Sequence, residues 1–159
     1  MIFVTLGSQK FQFNRLLIWL DELMGKGLIT EEIFAQIGYS DYVPKNFAYK
    51  NFLDRDEFTD KMKKCSIVIT HGGTGAIITA LKNEKRVIAI ARRAEFGEHV
   101  DDHQEQIVEM FSEMGYIYNA TSSDDIFNGL NRSEQSATKK YISNTISILE
   151  SIDTFISSK

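Results

Sequence analysis

Ser66-Ile67-Val68-Ile69-Thr70-His71-Gly72-Gly73-Thr74-Gly75-Ala76-Ile77-Ile78-Thr79-Ala80-Leu81 is the stretch that decides the fold. Its first five residues run apolar and β-branched with little alternation, the pattern of a strand buried on both faces in a parallel sheet. A glycine turn then opens directly into a helical run expected from Thr74 to about Asn83. Strand, glycine turn and helix in succession form the front half of a βαβ unit. The same alternation continues on both sides. Upstream, Ile2 to Leu6 reads as a strand, Asn14 as the N-cap of a helix carrying Leu16, Leu17, Leu20, Leu23 and Met24, and Ile33 to Ile37 as a strand stopped by Gly38. A weaker strand spans Phe47 to Phe52, and Asp54 or Asp56 starts a helix through Met62. Downstream come a strand at Arg86 to Ala91, a loop, a helix from about Asp102 to Met114, and a short strand at Tyr116 to Asn119. The expected fold class is α/β, a Rossmann-like parallel sheet with helices on both faces.

Residues 1–159 fit one domain, because the length is near the commonest for a single core. An amphipathic helix is expected at about 137–157, with Ile142, Ile146, Leu149, Ile152 and Ile156 on one stripe. Apolar residues make up 43% and charged residues 25%, the balance of an ordinary globular chain. A net charge of -4 gives no basic footprint for nucleic acid, although Arg92-Arg93 is a local cluster able to meet phosphate or anionic lipid. Cys65 stands alone, which excludes an internal disulfide and a CxxC site. The lone cysteine fits a reducing cytoplasm, and the N-terminal residues do not resemble a signal peptide or membrane anchor, so the expected location is cytoplasmic, peripheral at the inner face of the membrane only through a partner.

Open parallel sheets bind ligands beyond the carboxyl ends of their strands. Three loops there carry candidate residues. In His71-Gly72-Gly73-Thr74-Gly75, glycines permit close approach of an anion, the first helical N–H groups lack internal partners, and the helix dipole adds about half a positive charge. The alternative is that the glycines only allow a tight turn. His71 is expected either to point into the crevice and bond a phosphate or sugar hydroxyl, or to tie down the loop as a neutral imidazole. The spacing matches neither GxGxxG nor the P-loop, so neither a dinucleotide cofactor nor ATP hydrolysis is expected.

The second loop runs from Arg92 through Glu98, His99, Asp101, Asp102, His103 and Gln104. Asp101 with Gln104, or Asp102 with Glu105, has capping-box spacing. Gln104 shares a helix face with Val108 and Phe111, which is read as turning its amide to the crevice. Such amides and carboxylates suit sugar hydroxyls. No spacing here matches a metal motif, and no metal is expected. The third loop, Gly7-Ser8-Gln9-Lys10, offers N–H groups, a hydroxyl, an amide and a cation.

Thr5-Leu6-Gly7-Ser8-Gln9, Val68 to Gly75 and Gly97 to Gln104, in that order over roughly residues 1 to 120, resemble the glycosyltransferase family 28 C-terminal domain. The resemblance is strongest to small bacterial capsule and exopolysaccharide subunits, and extends to the catalytic subunit of the eukaryotic two-chain dolichol-linked GlcNAc transferase. It implies the donor-binding half of a GT-B glycosyltransferase, a UDP-sugar donor, inversion, no metal, and a polyprenyl-diphosphate-linked acceptor held with a membrane-anchored partner subunit. By matching positions, Gly72, Gly73, Thr74 and Gly75 would surround the nucleotide, Asp102, His103 and Gln104 would face the sugar, and Gly7, Ser8 and Gln9 would close the pocket, with His71, Glu98 and His99 beside it. Thr79 stands where the related lipid II enzyme has a ribose-binding glutamate. A neutral hydroxyl bonds less strongly than a carboxylate, which implies modest nucleotide affinity. In two-domain relatives the catalytic base lies on the N-terminal domain; His71 and His99 are the candidates here. Two other readings stand beside this one, a non-catalytic UDP-sugar-binding regulatory subunit and a 2-epimerase. The length disfavours the second, which needs a cleft between two domains.

Overall fold

Successive residues of a strand face opposite sides of a sheet, and here both sides are covered: Ile2 and Val4 enter one apolar cluster while Phe3 enters another. That explains why the strand runs read as apolar throughout. The computed structural model describes residues 1–132 together with Lys139, Tyr141 and Ile142. Its strands are β1 (Ile2–Thr5), β2 (Ile33–Gln36), β3 (Ala48–Lys50), β4 (Ile67–His71), β5 (Arg86–Ile90) and β6 (Tyr118–Asn119). They form one parallel sheet in the order β3-β2-β1-β4-β5-β6. The helices are α1 (Asn14–Gly25), α2 (Arg55–Lys64), α3 (Thr74–Lys82), α4 (His103–Glu113) and α5 (Ser123–Asn131). Leu16, Leu17, Leu20 and Leu23 of α1 and Ile126 of α5 cover one face. Met62 of α2, Ile77, Ala80 and Leu81 of α3, and Val108 and Phe111 of α4 cover the other. Strand order reverses between β1 and β4, so the loops after these strands flank a crevice at the switch point.

Several local expectations are corrected. Asn14 is not the N-cap of α1; Phe13 is, and Asn14 lies inside the first turn. The Asn14 amide instead ties down a loop, donating to Asp41 Oδ1 at 2.5 Å and accepting from the Tyr42 N–H at 3.1 Å. The same loop is held by Asp21 of α1, which accepts from Tyr42 Oη and from the Lys45 and Asn46 N–H groups. Burial pushes this carboxyl up, but those bonds outweigh it and hold it below the usual range. Asp54, not Asp56, starts α2, in a capping box with Glu57. The weak strand from Phe47 to Phe52 shrinks to β3 at the sheet's edge. The segment after β6, to which the sequence reading assigned no element, forms α5, capped by Ser122 Oγ accepting from the Asp125 N–H at 3.1 Å. The stripe predicted at 137–157 lies outside the described residues apart from Lys139, Tyr141 and Ile142. Among the described residues no helix is long and apolar enough to cross a membrane.

Candidate functional site

β4 runs one residue further than its apolar pattern, so His71 is its last member and its imidazole is fixed by the sheet. The ring is buried at the strand's end. Its Nδ1 lies 3.4 Å from the Thr5 carbonyl of β1 and 3.4 Å from Thr70 Oγ1. Burial, with the nearby positive charge of Arg92, drives its pKa down to about 4, so the imidazole is neutral at physiological pH. The loop-tying reading accounts for Nδ1, while Nε2 is bonded to no described residue and lies beside Gly7 and Gly73 at the turn. A solvated histidine would not be so depressed.

The glycines around it have different reasons. A Cβ on Gly73 would lie 2.3 Å from His71 Nε2, and one on Gly7 would lie 2.7 Å from His71 Cε1. Both glycines therefore make room for the imidazole. Gly7 also has φ +74, a left-handed conformation that disfavours a side chain. A Cβ on Gly72 would meet the Cβ and carbonyl of Gln104 at 2.8 Å and Val108 at 2.9 Å, so Gly72 lets α4 pack closely. Within the turn, it is at Gly75 that a Cβ would meet open space. Gly73 caps α3 without any side-chain acceptor. Thr74 and Gly75 are exposed, so their first-turn N–H groups face outward at the positive end of the helix dipole. Thr79, one turn on and also exposed, donates its hydroxyl to the Gly75 carbonyl at 2.7 Å and keeps its oxygen available as an acceptor.

Beyond β1, Ser8, Gln9 and Lys10 are exposed above the crevice. Gln36 at the end of β2 steadies this loop from beneath. Its amide donates to the Gly7 carbonyl at 3.4 Å while its Oε1 accepts from the Leu53 N–H.

The loop after β5 begins with Arg92, which is buried, and contains a short 3-10 turn at Ala94–Phe96. The expectation that Arg92-Arg93 forms a surface cluster for phosphate or lipid is corrected. Arg92 is inside, and Arg93 is paired with Glu95 and Glu105. Glu98 is also corrected as a reader of sugar hydroxyls. It is fully buried and accepts from Arg15 Nε and NH2 at 2.9 and 2.8 Å and from the Arg93 N–H at 3.0 Å. A buried carboxylate needs such donors, and these occupy it. Arg15 is in turn packed among the rings of Phe13, Trp19 and Phe96.

Gln104 is buried and its Oε1 accepts from the Arg92 N–H at 3.3 Å, so its amide joins two elements and does not face the crevice as expected. Neither capping box forms. Asp102 Oδ1 accepts from the Ala94 N–H at 2.8 Å, and Asp101 Oδ1 accepts from the His103 N–H at 3.1 Å. The same Asp101 oxygen lies 3.1 Å from His99 Nδ1. The His103 bond, with His99 beside it, holds the Asp101 carboxyl below its usual range. His99 is partly buried against Phe11, and His103 and Asp102 are exposed.

The sequence-derived set thus divides in two. Ser8, Gln9, Thr74, Gly75, Thr79, Asp102 and His103 present themselves at the carboxyl ends of β1, β4 and β5, with His99 at the margin. Gly7, His71, Gly72, Gly73, Glu98 and Gln104 brace those loops from within or beside them. Among the described residues no three His, Cys, Asp or Glu side chains converge to hold a metal ion. Sequence reasoning missed Arg15 as the partner of Glu98, Arg92 as a buried cation, and Gln36. Each acts across the sheet, and nothing in its sequence neighbourhood marks it.

The sequence matches the model of the glycosyltransferase family 28 C-terminal domain over residues 1–156. The chain belongs to that family. It is 33% identical over 94 residues to the UDP-N-acetylglucosamine transferase subunit ALG13 of Candida glabrata, covering 57% of this chain and 42% of that protein. It is 30% identical over 91 residues to the ALG13 subunit of Saccharomyces cerevisiae, covering 54% and 43%. The chain therefore spans less than half the length of these curated relatives. Its fold is that of the solution structure of ALG13, with a TM-score of 0.56 at 21% identity over 87% of each chain. It is also that of Acinetobacter baumannii MurG, with a TM-score of 0.59 at 16% identity over 87% of this chain and 43% of that one. The six-stranded parallel sheet of this family 28 domain is thus the GT-B type expected from its sequence.

Proposed function

We propose that this domain binds the UDP-sugar donor of an inverting glycosyltransferase, with the diphosphate against the exposed N-terminus of α3. The observation that carries the reading is the junction of β4 and α3. Thr74 and Gly75 present N–H groups with no side-chain cap, beside open space at Gly75, at the sheet's switch point. Thr79 lies one turn further for the ribose, Asp102 and His103 lie on the neighbouring loop for the sugar, and Ser8 and Gln9 close the pocket. UDP-GlcNAc is the first donor to test, because the relatives are named as subunits of a UDP-N-acetylglucosamine transferase. The acceptor in this proposal is a polyprenyl-diphosphate-linked sugar of capsule or exopolysaccharide assembly, presented by a membrane-anchored partner at the inner membrane face. That context rests on the sequence resemblance of Thr5 to Gln9, Val68 to Gly75 and Gly97 to Gln104, taken together, to small bacterial polysaccharide subunits. Partnership follows from the chemistry, since transfer requires the acceptor hydroxyl within near-attack distance of the anomeric carbon and shielded from bulk water.

For the acceptor's proton, His71 is unsuitable because burial lowers its pKa to about 4, which makes it a weak base, and its ring is wedged between Gly7 and Gly73. His99 is the better base: Asp101 orients its Nδ1, which leaves Nε2 as the acceptor in the tautomer that donates to the carboxylate. The test is transfer of labelled GlcNAc to a polyprenyl-diphosphate-linked acceptor by the chain co-purified with its membrane partner. The complex should transfer, in the presence of EDTA as well, and the chain alone should be nearly inactive. His99→Ala should lower kcat on the order of a hundredfold without changing UDP affinity. A complex that binds donor but never transfers would favour a regulatory subunit.

A further inference from the structure

Arg92 is a buried cation for which the donor site as described has no use. Only 1% of it is exposed, and it begins the loop after β5. Its NH2 donates to the Leu6 carbonyl at 2.8 Å and to the Phe11 carbonyl at 3.3 Å, the two ends of the Gly7–Lys10 loop. Its backbone N–H donates to Gln104 Oε1 in the first turn of α4. Its guanidinium carbon lies 5.4 Å from the centre of the Phe13 ring at the start of α1. One residue therefore touches the loop after β1, the loop after β5, and the helices that follow both.

The neighbourhood leaves that charge incompletely matched. Glu98 is the nearby carboxylate, but its oxygens bond Arg15 and the Arg93 N–H, not Arg92. Nε and NH1 of Arg92 have no protein acceptor among the described residues. Burial lowers its pKa to about 10 against the pull of Glu98, so it stays a cation at neutral pH. A buried donor without an acceptor costs stability, and an unbranched apolar side chain of similar length would fill the space without that cost. Packing alone therefore does not account for an arginine here.

We infer that Arg92 is the positioning residue of the donor site: its two carbonyl bonds set the Gly7–Lys10 loop against the loop after β5, and its charge beneath the crevice favours a diphosphate over a neutral ligand. This rests on the proposed donor reading. Arg92 itself stays behind the loops and does not touch the donor. A side chain with a purely architectural role would weaken all ligands alike, whereas a buried charge discriminates between charged and uncharged ones.

The test compares UDP and uridine binding by calorimetry to the wild-type chain, Arg92→Met and Arg92→Lys, with melting temperatures and the His71 pKa by NMR. Arg92→Met should fold, lose UDP affinity by tenfold or more, lose less for uridine, and raise the His71 pKa. Arg92→Lys keeps the charge without the paired carbonyl bonds, and should bind UDP between the other two. Wild-type binding of UDP with Arg92→Met within twofold overturns the inference while leaving the donor reading intact. Equal losses for UDP and uridine overturn the role of the charge. If Arg92→Met does not fold, Arg92→Lys decides: an affinity within twofold of wild type overturns the role of the carbonyl bonds. Failure of the wild type to bind UDP overturns the donor reading, and this inference with it.

Discussion

The imidazole of His71 occupies the space that a side chain at Gly73 would need, with Nε2 2.3 Å from the position of a Gly73 Cβ. The glycine turn and the histidine are therefore one structural unit. Gly73→Ala should force the ring out of its seat and destabilise the domain by about 1–3 kcal/mol, the usual range for overpacking. Thermal melting would measure it. His71→Ala should cost stability as well, but the double variant should cost less than the sum of the two, because removing the ring restores room for the methyl. Additive effects would show that the two residues do not share this space.

A second expectation concerns pH. His71 has a folded pKa of about 4, below its unfolded value of about 6.5, so between these values the unfolded chain binds the extra proton. Stability from this group is fully present above about pH 6.5 and is lost as pH falls toward 4, by about 3 kcal/mol in all. The charged groups that act on the ring are Arg92 and His99, and the Thr5 carbonyl opposes them. Carboxylates titrate nearby, so the comparison is between wild type and His71→Asn in urea melts across pH 4 to 7.5. The difference between the two should shrink with acidification. A constant difference would contradict a neutral, buried His71.

The ion pair of Glu98 with Arg15 joins the loop after β5 to α1, and the Glu98 side chain is only 1% exposed. Removing one partner of a buried pair typically costs about 3–5 kcal/mol because the other is left uncompensated. Glu98→Ala should fall in that range by chemical denaturation and should weaken UDP binding through the displaced loop. A loss below about 1 kcal/mol, the scale of a surface pair, would show that the pair is not structural.

Much of the architecture was legible because parallel strands covered on both faces leave long apolar runs. The strand at Ser66–Thr70, the glycine turn and the helix after it were all readable, and with them the crevice at the switch point. α5 went unassigned although its signs are present, the Ser122 cap, Asp124 and Asp125 in the first turn, and Ile126, Phe127 and Leu130 on one face, because the helix spans little more than two turns. The resemblance identified the family from three loops. The division of labour within those loops was not readable. Glu98 and Gln104 are chemically suited to sugar hydroxyls, and nothing nearby in sequence shows that Arg15, 83 positions before Glu98, and the Arg92 N–H engage them. Whether a polar side chain faces a ligand or braces a loop depends on such long-range partners. Hydrophobic periodicity does not report them.

The most direct test of the donor-site reading is titration of the isotope-labelled chain, alone and with the proposed membrane partner, with UDP and UDP-GlcNAc by NMR. Saturable shifts are expected at the amides of Thr74 and Gly75 first, with smaller shifts at Asp102 and His103. No saturable shift at millimolar ligand in either preparation, or shifts confined to residues away from the β4–α3 junction, would contradict the placement of the donor at the N-terminus of α3.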